Sequence, residues 1–402
     1  MRILLVHNYY QEPGGEDVVF RNERDLLCQQ GHEVTEYIDH NCRINTIGTL
    51  AGASQMVWSF PSQFRLRALL RSMRYDIVHF HNPFALISPA AYYPCQEAGV
   101  AVVQTLHNYR LLCPAATLYR DGHVCEECLG KGLPWPGIWH ACYRQSRSQT
   151  AAVAAMITLH RWLRTWQRQV NLYIALTDFC RRKFMQGGLP AEKIVVKPNF
   201  VGPDPGERDG VGRYALFVGR LSAEKGIWIL LRAWQRLSNT VLKIVGDGPQ
   251  RHAMQAFVDT EGVQRIELLG QQPSEDVLKL MKGAQFLIFP SEWYETFGRV
   301  AIEAFACGVP VIASRLGAIA EIVEDGHTGL LFQPGDLDDL AAKVRWAVSH
   351  PEEMNRMGTK ARQVYEIKYT PEANYRMLCD IYKRAINNAK GTIRQNVDTV
   401  TS

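Results

Sequence analysis

The stretch from Phe286 to Ala313 limits the fold of this chain more than any other. An apolar run at 286–289 leads into a polar loop, Pro290-Ser-Glu-Trp-Tyr-Glu-Thr-Phe-Gly298, and then into a helix-like segment. Gly308-Val-Pro310 stops that segment, and a second apolar run follows at 310–313. Strand, loop, helix and strand in this order make one βαβ unit. Two carboxylates, Glu295 and Glu303, bracket the point where the helix begins. A helix N-terminus attracts anions through its free backbone N–H groups and its dipole. A carboxylate beside it can accept hydrogen bonds from sugar hydroxyls. The loop therefore suits a ligand that is both anionic and rich in hydroxyls.

The same rhythm runs through the chain. Strands are expected at 2–7, 34–38, 76–79, 100–106, 174–176 and 193–197, with a helical pattern at 17–30 closed by Gly31. A stretch rich in Gly, Pro and Asp, 201–212, has no periodicity and reads as a linker. A second series follows at 214–218, 241–245, 266–269, 286–289 and 309–313, and helical segments at 337–349 and 351–367 come after it. Strands alternating with helices predict an α/β fold with doubly wound parallel sheets. The expected organisation is an N-terminal Rossmann-like domain over 1–200 and a linker over 201–212. A C-terminal Rossmann-like domain spans 213–372, a last helix 373–390, and a flexible tail 391–402.

With 402 residues, 47% of them hydrophobic and 21% charged, the chain has ample core for two domains. The net charge of +5 is mild; it suits an anionic ligand or membrane surface, and no basic tract points to nucleic acid. Residues 1–7 are too short an apolar run for a signal peptide, and no run approaches a spanning helix. A cytoplasmic protein with mostly reduced cysteines is expected.

Further loops carry candidate residues. Val218-Gly-Arg-Leu-Ser-Ala-Glu-Lys-Gly226 follows a strand and holds Gly219, Arg220 and Lys225. Fixed cations there suit an anionic ligand. Gly246 and Gly248 form a turn after the next strand, where glycine lets backbone approach a ligand closely. Gly14 and Gly15 follow the first strand but lack the full dinucleotide fingerprint, which counts against a dehydrogenase. His79, His81 and His107 lie at strand ends, where an open parallel sheet lines its cleft. A structural role and a functional one are equally open for His79 and His81.

Set together, Arg220, Lys225, Glu295 and Glu303 resemble the donor site of retaining GT-B glycosyltransferases of family 4, whose E-x7-E motif has the spacing of the two glutamates. The resemblance covers nearly the whole chain and is strongest from Tyr214 to Pro334. It implies the GT-B plan, two Rossmann-like domains facing a central cleft, with the last helix crossing back onto the first domain. It implies transfer of a hexosyl unit from a UDP- or GDP-sugar to a glycan or lipid-linked glycan in cell-surface polysaccharide synthesis, with no cofactor required for catalysis. By this resemblance Arg220 and Lys225 face the diphosphate. Glu303 holds the ribose hydroxyls, Glu295 lies by the transferred sugar, and His107 hydrogen-bonds a sugar hydroxyl. Phe297, Gly298, Arg299 and Val300 offer backbone N–H groups, and Gly14 and Gly15 form the first glycine loop. An epimerase or hydrolase on the same fold, and an inactive sugar-nucleotide-binding scaffold, are the alternatives.

One insert, 113–142, departs from the commonest family pattern. It resembles a subset of capsule and exopolysaccharide transferases that carry Leu-His-Asn-Tyr-Arg-Leu-Leu-Cys-Pro. Cys113, Cys125, Cys128 and Cys142 lie in it, with Cys125 and Cys128 as a C-x2-C pair. Four thiolates could hold a structural zinc; buried thiols and a disulfide or redox pair are the other readings. Finally, 60–74 and 159–169 mix aromatic and basic residues, as helices lying on an anionic bilayer do. Helices packed on the sheet, with solvated arginines, are the competing reading. Membrane contact would place the protein at the inner face of the plasma membrane.

Overall fold

The computed structural model of the chain describes residues 1–12, 14–237 and 240–400. They form two compact units, one of residues 1–118, 125–197 and 374 onward, the other of 119–124 and 198–373.

The first unit holds β1 (Arg2–Tyr9), β2 (Glu33–His40), β3 (Ile77–Asn82) and β4 (Ala101–Thr105). After a two-stranded ribbon of β5 (Tyr119–Arg120) and β6 (His123–Val124), which groups with the second unit, come β7 (Leu172–Ala175) and β8 (Ile194–Val196). The six form a parallel sheet in the order β2-β1-β3-β4-β7-β8. Every residue of β3, β4 and β7 is buried, as expected of parallel strands covered on both faces. The second unit holds β9 (Tyr214–Val218), β10 (Leu242–Val245), β11 (Ile266–Gly270), β12 (Ala284–Phe289), β13 (Val311–Ser314) and β14 (Gly329–Phe332). They too are parallel, in the order β11-β10-β9-β12-β13-β14. Both sheets are doubly wound. Strand order reverses at β1/β3 in one and β9/β12 in the other, and ligands bind at the carboxyl ends of strands at such points.

Each unit has its own core. In the second, Trp234, Phe286, Ile288, Ile312 and Leu340 pack between sheet and helices. In the first, Leu378, Ile381, Tyr382 and Ala385 of the last helix join Ile3, Leu5 and Phe20.

Four features differ from the sequence reading. The last helix spans Pro371–Val400, so the tail expected from Gly391 is helical as far as Val400, and Thr401 and Ser402 lie outside the described residues. One glycine costs a helix only about 1 kcal/mol and does not end it. The expected linker is strapped to the second unit. Asp204 pairs with Arg362, and the Arg208 guanidinium donates to the carbonyl of Ala284 at 2.7 Å and to Asn355 at 2.8 Å. The stretch 159–169 is not one helix: Arg147–Trp162 ends there, Arg164 turns left-handed at φ +53°, and a single turn, Thr165–Arg168, follows. Lastly β14, not expected as a strand, extends the sheet.

Candidate donor site

In the second unit, β9 and β12 are hydrogen-bonded neighbours at the reversal point, and both loops of interest leave their carboxyl ends. The loop after β9 carries Gly219 and an exposed Arg220, and closes at Gly226 in the left-handed region, φ +68°. A Cβ on Gly226 would lie 1.8 Å from the carbonyl oxygen of Pro290, so only glycine lets the two loops meet here. The Glu292 N–H donates to the carbonyl of Glu224 at 2.9 Å and fastens them again. Gly246, at φ +140°, does the same for a third loop: its Cβ would fall 1.9 Å from the carbonyl oxygen of Gly219. Gly248 presses likewise on Leu221. The turn expected to approach a ligand approaches the β9 loop itself.

Glu295 sits where these loops join, 6% exposed. Its Oε1 accepts from Lys225 Nζ at 2.6 Å, Trp293 Nε1 at 2.8 Å and Ser291 Oγ at 2.9 Å. Lys225 Nζ also stands 5.3 Å from the centre of the Trp293 ring. Three donors on one oxygen, one of them cationic, hold a nearly buried carboxylate in a single orientation. Two residues on, Phe297 is buried, with its ring edge-on to Tyr369 at 6.2 Å. Gly298 caps the helix Arg299–Ala306, and Val300 lies in its first turn. Arg299 clamps Glu303 through Nε at 2.8 Å and a terminal guanidinium nitrogen at 2.7 Å. Arg220, Lys225 and Glu295 thus ride on the two loops that leave the adjacent central strands β9 and β12, and Arg299 and Glu303 on the helix that follows the second loop. Ser291 and Trp293 were missed in the sequence, where nothing distinguishes them from other loop residues.

In the first unit, Gly14 and Gly15 follow β1 with open space beside both. The next residue, Glu16, accepts from Asn108 Nδ2 at 3.2 Å, and burial followed by the neighbouring Asp17 pushes its carboxyl up to about 7. His107 follows β4, its Nε2 3.1 Å from Nδ1 of His81. Burial and then His81 hold the His107 imidazole well below its ordinary pKa; burial and then His79 bring His81 down to about 3. Both rings are neutral at ordinary pH and act as hydrogen-bonding groups. They line a cavity of about 30 Å³ together with Gln104, Thr105 and Asn108.

His79 and His81 are otherwise structural. His79 bonds Tyr382 and Thr105, each at 2.8 Å, and both histidines approach Oε1 of Glu23, at 3.1 and 3.2 Å. Lys197 Nζ lies 3.0 Å from the other oxygen of Glu23. Burial pushes the Glu23 carboxyl up, but Lys197 and His79 outweigh it and hold the group well below the usual range. Glu23, His79 and His81 have ligand atoms within 4.8 Å of one another, yet a buried ammonium already neutralises the carboxylate. Among the described residues no three of the sulfurs of Cys113, Cys125, Cys128 and Cys142 lie within that distance of one another, and all ten cysteines are free thiols.

Comparison with known proteins agrees with this geometry. A family model described as Glycosyltransferase Family 4 matches residues 13–204, and one described as Glycosyl transferases group 1 matches 205–364. An uncharacterized glycosyltransferase of Methanocaldococcus jannaschii is 32% identical over 187 residues, 46% of this chain and 53% of the relative. The D-rhamnosyltransferase WbpZ of Pseudomonas aeruginosa is 32% identical over 160 residues, 39% of this chain and 42% of that protein. The chain thus spans about half the length of these curated relatives or less. Among solved structures, Anabaena HepE in complex with UDP aligns over 94% of this chain and 99% of its own, with a TM-score of 0.69 and 18% identity. Sucrose-phosphate synthase from Thermosynechococcus elongatus aligns over 95% and 98%, with a TM-score of 0.70 and 17% identity. Two parallel doubly wound sheets, paired loops at a strand-order reversal and two adjoining family matches agree: the chain belongs to the family 4 glycosyltransferases of the GT-B fold.

Proposed function

We propose that the protein is a retaining glycosyltransferase that moves a hexosyl unit from a UDP- or GDP-sugar to a glycan or lipid-linked glycan hydroxyl. The observation that carries this reading is the convergence of Lys225, Ser291 and Trp293 on Glu295, on the loops of adjacent central strands, beside Arg220 and the helix that bears the Arg299–Glu303 clamp. The similar Anabaena protein binds UDP, in keeping with a nucleotide-sugar donor.

In this reading Arg220 and Lys225 face the pyrophosphate, which gains negative charge as it leaves. Cations fixed before the reaction stabilise that charge without reorganising. Glu303 accepts from the ribose hydroxyls, Glu295 from the transferred sugar, and the first turn of the Arg299–Ala306 helix donates backbone N–H groups. The bond from the anomeric carbon to the phosphate oxygen breaks. The acceptor oxygen bonds the same face, and its proton passes to the departing phosphate oxygen. His107, neutral, hydrogen-bonds a sugar hydroxyl.

A lipid-linked acceptor suits the surface of the first unit. Phe64 is 75% exposed beside Arg65 on the helix Phe60–Ser72, and Trp162 is 78% exposed beside Arg161 and Arg164. Aromatics among arginines fit the headgroup region of an anionic bilayer at the cytoplasmic face. Among the described residues no helix is long and apolar enough to cross a membrane.

The test incubates purified protein with UDP- and GDP-sugars and a lipid-linked glycan acceptor, with proton NMR of the new linkage. Transfer with the donor's anomeric configuration kept is expected. Inversion would overturn retention, and donor breakdown indifferent to acceptor would show a hydrolase. Sedimentation with anionic but not neutral vesicles, weakened in Phe64→Ser/Trp162→Ser, is expected of the surface; equal partition with both would remove the membrane.

A further inference from the structure

The insert 113–142 has little to hold it. Its only regular elements are two strands of two residues and the helix Trp135–Trp139. Its neighbourhood is also backbone-strained. Of the eight non-glycine residues with left-handed backbone among the described residues, six lie between 116 and 145: Ala116, Leu118, Asp121, Ala141, Arg144 and Gln145. Such residues are strained and persist only where the surroundings fix them. A long irregular loop inside a compact domain needs a fastening of some kind.

The cysteines are placed to supply one. Gly137 is the meeting point: a Cβ there would lie 2.9 Å from the Pro114 ring, next to Cys113, and 3.5 Å from the sulfur of Cys128. Its carbonyl accepts from the N–H of Cys142 at 3.0 Å. Cys125 is three residues before Cys128, and its N–H is tied to the carbonyl of Leu118 at 2.8 Å. Cys113 and Cys128 are buried, Cys125 and Cys142 half-buried, and all four are reduced.

We propose that the insert folds around one structural zinc ion held by Cys113, Cys125, Cys128 and Cys142. The donor set fits: four sulfurs, a C-x2-C pair and two flanking cysteines suit a closed tetrahedral site, and thiolates favour zinc among the common divalent ions. Binding draws the sulfurs in to Zn–S bonds of about 2.3 Å and releases four thiol protons to solvent.

The full-length protein, purified from zinc-supplemented medium, should retain about one zinc per chain by mass spectrometry of metals. Exchange into cobalt should give sulfur-to-cobalt charge-transfer bands and the visible bands of a tetrahedral site. Cys125→Ser/Cys128→Ser should lose the metal, whereas Cys28→Ser/Cys379→Ser should keep it. Trypsin should cut the insert of chelator-treated wild type at least tenfold faster than that of the zinc-loaded protein. A wild-type protein with no tightly bound zinc and no cobalt-thiolate bands, an iron–sulfur spectrum, or zinc retained in Cys125→Ser/Cys128→Ser would each overturn the proposal. Metal content is read without donor turnover, so this result stands apart from the proposed activity.

Discussion

At the scale of single residues, Lys225 and Glu295 show how one carboxylate is oriented. Three donors hold one oxygen of Glu295, and the lysine among them is the one that the proposed reaction sets against the leaving phosphate. Lys225→Ala should lower turnover by about 10²–10³, the usual loss for one preorganised donor. Steady-state kinetics on a variant with wild-type circular dichroism checks this, and unchanged turnover would remove Lys225 from the mechanism. Glu16 gives a pH signature. Its folded-state pKa is raised to about 7 by burial and then Asp17. Below the ordinary glutamate value both folded and unfolded chains are protonated, and no difference arises. As pH climbs from there toward about 7 the unfolded chain loses the proton more readily, so this group's contribution to stability falls, then levels off. Melting temperatures of wild type and Glu16→Gln should diverge over that window, with the variant ahead at the alkaline end. Parallel curves would show that Glu16 ionises freely.

At the scale of elements, the donor loops are set by backbone contact. Gly226→Ala forces a Cβ to within 1.8 Å of the Pro290 carbonyl oxygen at a left-handed position. The loops must part, at a cost above about 1 kcal/mol. Denaturant unfolding should show that loss, and calorimetric titration should show weaker donor binding; an unaltered variant would mean the loops close by other contacts. The last helix is the opposite case, an element held by its apolar face. Leu378 is fully buried among Ile3, Leu5 and Phe20. Leu378→Ala should destabilise the first unit by about 2–5 kcal/mol. A midpoint unchanged within error would show that the helix packs too loosely to matter.

At the scale of the whole molecule, two units with separate cores carry separate candidate chemistry. A nucleotide sugar at about 100 times its Kd should stabilise the second unit by about 2.7 kcal/mol. Differential scanning calorimetry should show that unit's transition rising with the cognate donor while the first unit's stays put; a shift confined to the first unit would misplace the donor site. The sequence made the sheets legible, β14 excepted, because parallel buried strands read as short apolar runs between helical periods, each a local pattern. Both glutamates and both cations of the β9 loop could be picked out too, since each pair lies within one short stretch of chain, 295–303 and 220–225. Three things were not. Lys197 neutralises Glu23 from 174 residues away, so no window of sequence contains the pair. Ser291 and Trp293 look like ordinary loop residues until the chain folds back on Glu295. The fastening of 201–212 depends on Arg208 and Arg362 finding carbonyls and carboxylates in other segments. Periodicity and local spacing, which need only neighbouring residues, determined the two sheets and the composition of the donor loops. The pairing of charges, the pKa values of buried groups and the closure of loops at Gly226 were decided by the tertiary structure, because electrostatics and sterics act through space and not along the chain.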